Sequence, residues 1–557
     1  MRDPMQFNRY YRYEELTAYL REWADKHAHI CQLHTLGSSY EGRDIWIMVL
    51  TNFETGPDLE KPAYWVDANI HSTETSGSTA ALYLINKLLN GYGWDEKVTR
   101  ALDTRAFYIV PRLNPDGAEW ALADIPKYVR SSTKAYPRMD TLDGLHREDI
   151  DKDGRILQMR LKDPNGVWKK HPDDPRVMVR REPDEAPGGD FYRIMPEGWV
   201  QNYDGATINF APSVQGLDLN RQFPVMWSPD QSGAGDYAGS EPEPAAAMRW
   251  VAEHPNITGS ISFHTFSGVN LRSPVKGPDD SLPTQDVRTY KMLGKKGKEI
   301  TGYPAISIFH DFKYDPKSHI RGTFHDWMYE YVGVYGWTTE IWCLQREAGC
   351  DTSKFLEWFR EHPLEDDFKV MKWNDEVLDG KGYIDWYEFD HPQLGKVELG
   401  GWHFFETWRN PPYKLLEKEI APLADFAIYS CLVSPKLDWY SVDVTSTGNV
   451  HHIQAVVENT GWLPTNVSQK ALEMKVVQPL ELQIKLPEGA RLISGNEKTF
   501  LGQLGGRDAK PAMNLFGGDT TTDRGKAVWV VEAEKGAVLE LTAVHQRAGT
   551  IRRRVEL

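Results

Sequence analysis

Residues 68–80, ANIHSTETSGSTA, carry His71 and Glu74 in an H-x-x-E spacing. A neutral imidazole and a carboxylate held close together suit zinc, and a catalytic zinc site takes three protein ligands and keeps one position for water. Alone the spacing says little, because roughly one such pair is expected by chance in a chain with this many His and Glu residues. A third ligand must lie at a comparable place in the fold. His264 fits, in Ser262-Phe263-His264-Thr265-Phe266 at the end of an apolar run. Glu340 stands inside Trp337-Thr338-Thr339-Glu340-Ile341-Trp342. A carboxylate in so apolar a stretch rarely goes without a partner or a task, which makes it the candidate general base. Arg130 and Arg221 follow turns, where they could meet a carbonyl oxygen and a carboxylate.

These side chains need strands and turns to place them. Residues 63–66 read as a buried strand and residues 80–89 as a helix, so His71 and Glu74 fall where open α/β sheets hold ligands. Further strands are expected at 45–50, 107–110, 260–263 and 337–342, and helices at 14–28 and 413–432. Asn114-Pro115-Asp116-Gly117 is a strong turn signal. A capping box, Ser240 with Glu243, predicts a helix reaching residue 253. Strands alternating with helices argue for an α/β class with a mixed sheet. Residues 121–215 break that rhythm with polar sequence rich in Pro, Asp, Arg and Lys. They read as a long insertion, at about 131–215, with short strands over one end of the sheet, able to narrow a cleft. From residue 435 the pattern changes to period two, as in Leu480, Leu482, Ile484 and Leu486. That predicts a C-terminal all-β sandwich of immunoglobulin-like type over 435–557, after a first unit of 1–434.

The chain of 557 residues is too long for one ordinary core, and its formal net charge is −16. The acidic balance argues against nucleic acid and anionic membrane as partners. Four cysteines, Cys31, Cys343, Cys350 and Cys431, make no disulfide framework; a Cys343–Cys350 pair is one reading, and free, partly buried thiols are the expectation. The first residues lack an apolar signal core and no run of eighteen apolar residues occurs, so the expected location is cytoplasmic, without a membrane span.

The ordered set of motifs resembles the zinc metallocarboxypeptidases typified by the pancreatic digestive enzymes, over roughly residues 10–430 apart from the insertion. The resemblance implies an α/β/α fold, one zinc ion on His71, Glu74 and His264, and removal of residues from the C-terminus of a peptide. The family's catalytic Glu follows an Asp-Trp dipeptide at a fixed distance, and here Asp326-Trp327 leads to Glu340 without a gap. An Arg after the shared Asn-Pro-Asp-Gly turn polarises the scissile carbonyl; Arg130 stands at nearly that offset, with Arg112 as fallback. Asn220-Arg221 matches the pair that grips the terminal carboxylate. The family's mobile Tyr has no direct counterpart. Ser318 stands about there, Tyr314 is the nearest tyrosine and so the candidate substrate-binding residue, and His319 is another donor. Residues 323–325 would line the specificity pocket.

Two other readings of the same site are an amidase or deacylase, acting on a small acyl amino acid or a side-chain-linked glutamate, and a non-catalytic zinc- or peptide-binding protein. Apart from zinc, Asp149, Asp151 and Asp153 imitate the first half of a calcium loop, although its twelfth position is Arg160.

Overall fold

The computed structural model describes residues 4–313, 317, 319–508, 510, 513, 515 and 518–557. Its largest sheet has eight strands in the order Cys31–Ser38, Asp44–Leu50, Ala106–Val110, Ala63–Ala68, Ile257–Thr265, Tyr335–Ile341, Val269–Arg272 and Ala305–Ser307. The four strands from Ala106–Val110 to Tyr335–Ile341 are parallel, and antiparallel neighbours flank them, so the sheet is mixed. Every residue of Ala63–Ala68 and Ile257–Thr265 is buried, as parallel strands covered on both faces must be. Helices Thr75–Gly91, Thr284–Thr301 and Tyr413–Leu432 bury their apolar residues in the same core.

The helix after the H-x-x-E loop begins at Thr75, immediately behind Glu74 and ahead of its apolar pattern. Its first turn lies against the strand that ends near His264. A Cβ on Gly77 would stand 2.8 Å from the Phe263 carbonyl oxygen, so the absence of a side chain permits the approach. The expected capping box does not form. Helix Pro242–Glu253 starts after Glu241 with proline in its first turn and no side-chain cap, since the Ser240 hydroxyl turns to Gln222 and Glu243 accepts the Tyr40 N–H at 2.9 Å.

Strands of the insertion build another sheet together with two strands from much later in the chain. Gln158–Lys162, Tyr192–Pro196, Trp168–Lys170 and Met178–Arg180 join Tyr383–His391 and Gly395–Trp402 in six strands, through pairing of Gln158–Lys162 with Gly395–Trp402. Buried Arg160 locks that seam with two bonds to Glu398, at 2.8 and 3.0 Å.

From Leu437 onward the strands form two antiparallel four-stranded sheets closing on a core of Leu437, Ile453, Leu482, Trp529 and Leu541. Alternating burial along Val450–Asn459 is the period-two pattern in three dimensions. Polar contacts tie this unit to the first. Asp286 accepts the N–H groups of Gln469 and Lys470 at 2.8 and 3.0 Å. Buried Arg547 donates to the carbonyls of Gly333 and Asn466 at 3.1 and 2.9 Å, and also to that of Val332. The four cysteines are free and buried, and among the described residues no helix is long and apolar enough to cross a membrane.

Candidate active site

The loop carrying His71 and Glu74 is shaped by asparagines. Asn69 takes a left-handed backbone (φ 60°), and its side chain donates to the His71 carbonyl at 2.6 Å. Asn114 donates to the Ile70 and Ser131 carbonyls at 3.2 and 2.8 Å, and its oxygen caps helix Pro115–Ala121 by accepting the Gly117 N–H. The Asn-Pro-Asp-Gly turn is therefore also a helix start, stapling the loop of His71 to the loop of Arg130. His264 and Glu340 are aligned partners on adjacent parallel strands, so sheet register alone sets a carboxylate beside an imidazole.

His71, Glu74 and His264 converge, all buried, with their ligand atoms within 4.8 Å of one another. His71 Nδ1 lies 3.0 Å from Glu74 Oε1, His264 Nδ1 lies 3.1 Å from Glu74 Oε2, and the two Nδ1 atoms are 3.1 Å apart. The outer nitrogens decide the tautomers. His71 Nε2 faces Asp218 Oδ1 at 3.1 Å, and an ionised carboxylate only accepts. His264 Nε2 lies 3.2 Å from Ser262 Oγ, whose own proton goes to Asp67 Oδ1 at 2.6 Å. Both rings thus hold their hydrogen at Nε2 and present Nδ1 lone pairs to each other and to a carboxylate. Two inward lone pairs and an anion form a donor set that a divalent cation satisfies, with outer partners of the kind that orient zinc-binding histidines.

Glu340 stands beside this triad. Burial, the stronger influence, raises its carboxyl to about 7 against the pull of His264, and Glu74 raises it further, while Arg409 and Arg130 pull it down. Arg130 donates through Nε to Asp218 Oδ2 at 2.9 Å and brings Nη1 within 3.6 Å of Glu74 Oε1; 42 % of its side chain remains exposed to the cleft. Arg221 approaches the same Asp218 oxygen at 3.6 Å and donates to the Asn220 carbonyl at 2.7 Å. Although burial works against ionisation, the Arg130 and Arg221 charges and the hydrogen bond from His71 hold Asp218 well below the usual carboxylate range. Asn220 Oδ1 accepts the Phe324 N–H at 2.9 Å, which fixes the turn carrying Arg221.

The structure thus gathers His71, Glu74, His264, Glu340 and Arg130 at one place, with Arg221 and Asn220 joined to them through Asp218. Arg112 is elsewhere: buried, it donates to the Tyr11 carbonyl at 2.7 Å, a structural role. Tyr314 and Ser318 lie outside the described residues. Thr323, Phe324 and His325 are buried, and a cavity of about 320 Å³ opens beside Arg221 between Val275, Ile308, Phe312 and Ile320, with Lys313 and His319 on its wall. A second, of about 790 Å³, joins Arg130, Asp218 and Arg221 to Tyr136, Arg138 and Gln215 of the insertion.

The calcium expectation finds no support. Asp153 turns away to pair with Arg155 at 2.5 Å, and Glu197 takes its place beside Asp149 and Asp151. The gathered oxygens already serve the turn. Asp149 accepts the Asp153 and Gly154 N–H groups, Glu197 accepts those of Ile150 and Leu157, and Tyr387 donates to Asp151.

Fold and site together define a mixed-sheet α/β protein with a centre of two histidines and one carboxylate at strand ends. A zinc carboxypeptidase family model matches residues 16–357, and the chain belongs to that family. Residues 436–556 match a domain of unknown function, DUF8731. Mouse carboxypeptidase M is 33 % identical over 111 residues, 20 % of this chain and 25 % of that protein. A zinc carboxypeptidase of Saccharothrix mutabilis subsp. capreolus is 28 % identical over 120 residues, 22 % of this chain and 27 % of that protein. The chain thus aligns with about a quarter of each relative's length. Among solved structures, carboxypeptidase A from Helicoverpa armigera shares 18 % identity at a TM-score of 0.41, covering 68 % of this chain and 74 % of that one.

Asp218, Ser262, Asp67 and Arg409 were not evident from the sequence. Asp218 had a signal: it stands between two leucines, as conspicuous as Glu340 in its own apolar run.

Proposed function

We propose that this chain is a zinc-dependent carboxypeptidase that hydrolyses the C-terminal peptide bond of peptides. The reading is carried by one observation: two imidazole lone pairs and a carboxylate converge beside a buried Glu, with two arginines held on one buried aspartate. His71, Glu74 and His264 would hold the zinc, which when bound supplies a water of lowered pKa and a Lewis acid for the scissile carbonyl. Glu340 takes a proton from the attacking water and passes it to the leaving amine, a task suited to a carboxyl near neutrality. Arg130 donates to the carbonyl oxygen as negative charge builds there, an interaction worth about 3 kcal/mol for one well-placed donor. Arg221, positioned by Asn220, holds the substrate's terminal carboxylate by paired, charge-assisted bonds. That grip makes the enzyme act from the chain end.

Incubation with a mixed peptide library, followed by mass spectrometry with and without a chelator, tests this. Stepwise, chelator-sensitive loss of single C-terminal residues is the expected result. Release of acyl groups or side-chain-linked glutamate instead would make it an amidase or deacylase, and no release at all would make it a binding protein.

A further inference from the structure

We propose that a cavity between the insertion's sheet and the helices Phe355–Arg360 and Leu364–Leu378 binds one sugar ring of a neutral carbohydrate. None of the residues assigned to zinc or to peptide takes part, so this site stands or falls apart from the carboxypeptidase reading.

The cavity, of about 240 Å³, is walled by Trp168, Trp358, Tyr383, Trp386, Trp402 and Trp408. Five of the chain's 20 tryptophans thus meet at one small space, and four of them, Trp168, Trp386, Trp402 and Trp408, are only half-buried. Rings that merely filled a core would close on one another, whereas these leave a space that a solute can reach. Its volume lies below the roughly 300–1,000 Å³ of pockets for drug-sized ligands, so it suits a single ring. The walls form a box rather than a parallel slot: Trp402 stands at 77° to Trp408, with ring centres 6.0 Å apart, and at 88° to Tyr383, with ring centres 5.2 Å apart.

The chemistry of the walls selects the occupant. The Nε1–H of Trp408 is buried and has no acceptor among the described residues, so a ligand oxygen would satisfy it. Exposed Gln158, also in the wall, carries an amide that both donates and accepts. The charged groups of the wall are already engaged: Arg176 bonds Asp174 and Asp375 at 2.8 Å each, and His362 faces Asp367 at 3.3 Å. That favours a neutral ligand. A quaternary ammonium would offer Trp408 no acceptor, and two of the ring faces are taken, since the Arg160 guanidinium carbon lies 4.3 Å from the Trp386 ring centre and His362 stacks on Trp358 at 4.1 Å. A hydrocarbon ring likewise brings no acceptor. A pyranose has C–H faces that lie against indole and a rim of hydroxyls that accept and donate, which matches apolar walls bearing a donor and an amide.

Saturation-transfer NMR and indole fluorescence on the full chain test this, with glucose, galactose, mannose and N-acetylglucosamine as probes and tetramethylammonium and p-cresol as the competing chemistries. At least one sugar should bind saturably, with about millimolar affinity. Trp168→Ala, which removes a wall, should weaken that sugar about tenfold or more. Trp408→Phe, which keeps a ring and loses the N–H, should weaken it about three- to tenfold. Thermal unfolding is recorded for both variants, and where Trp168→Ala does not fold, Trp408→Phe decides. Binding of none of the four sugars overturns the inference, as does an affinity unchanged in Trp408→Phe, or tetramethylammonium or p-cresol bound where the sugars are not.

Discussion

Two groups of three potential ligands stand in this molecule, and they differ in what their donor atoms are already doing. At His71, Glu74 and His264 the outer nitrogens are bonded and the inner lone pairs face one another. At Asp149, Asp151 and Glu197 the oxygens accept backbone N–H groups and a tyrosine hydroxyl, holding a turn together. Both are clusters by distance. Only the first leaves imidazole lone pairs aimed at one another with no hydrogen between them, so unspent lone pairs mark a candidate metal centre better than proximity does.

That contrast can be broken directly. His264→Ala should lose bound zinc and activity together, since two ligands rarely hold the metal tightly, whereas Asp151→Asn should change neither. Elemental analysis of the purified variants decides it; zinc lost from Asp151→Asn would equate the two clusters. Next in size, Glu340→Gln should keep its zinc and lose about 10²- to 10⁴-fold in kcat. The base works only ionised, so kcat/KM should rise with pH through Glu340's titration and fall below it. That acid limb should lie at about 7 or lower, because a bound cation favours the carboxylate. A limb unchanged in Glu340→Gln would assign it to another group.

A smaller effect sharpens the tautomer argument. Ser262→Ala removes the acceptor for His264 Nε2–H and leaves Asp67 without that hydroxyl, so zinc affinity should fall about 10- to 100-fold while the fold persists. Competition with a chromophoric chelator measures it, and an unchanged affinity would mean that Ser262 does not orient the ring. The least effect on chemistry is expected at a third kind of buried polar group, one that only joins units. Arg547→Ala should leave zinc content intact and cost about 1–3 kcal/mol of stability, through the lost bonds to the Val332, Gly333 and Asn466 carbonyls. Thermal unfolding followed by calorimetry would show the loss; an unshifted transition would mean that this junction adds no stability.

Much of the site was legible because its residues sit at strand ends, where local patterns are strongest. His71, Glu74, His264 and Glu340 each follow or occupy an apolar run, and their order along the chain carried the rest. The sandwich was legible from alternation, as in Leu480 to Leu486. Pairing between Gln158–Lys162 and Gly395–Trp402 was not, because it joins segments far apart along the chain and neither announces the other. Arg409 was hidden for the same reason: its meaning comes from Thr265 and Glu74, which only the fold brings near. Ser262 and Asp67 looked like ordinary interruptions of apolar strands until sheet register set them side by side.

Carboxylate recognition is the claim on which the account turns, and paired peptides differing only in a free or amidated C-terminus test it most directly. The zinc-loaded enzyme should cleave the free form, and the amidated twin at least about 100-fold more slowly, because a site built to bond a group rejects the analogue that lacks it. Arg221→Ala should shrink that ratio while raising KM. Equal cleavage of the two peptides by the wild-type enzyme would contradict the account.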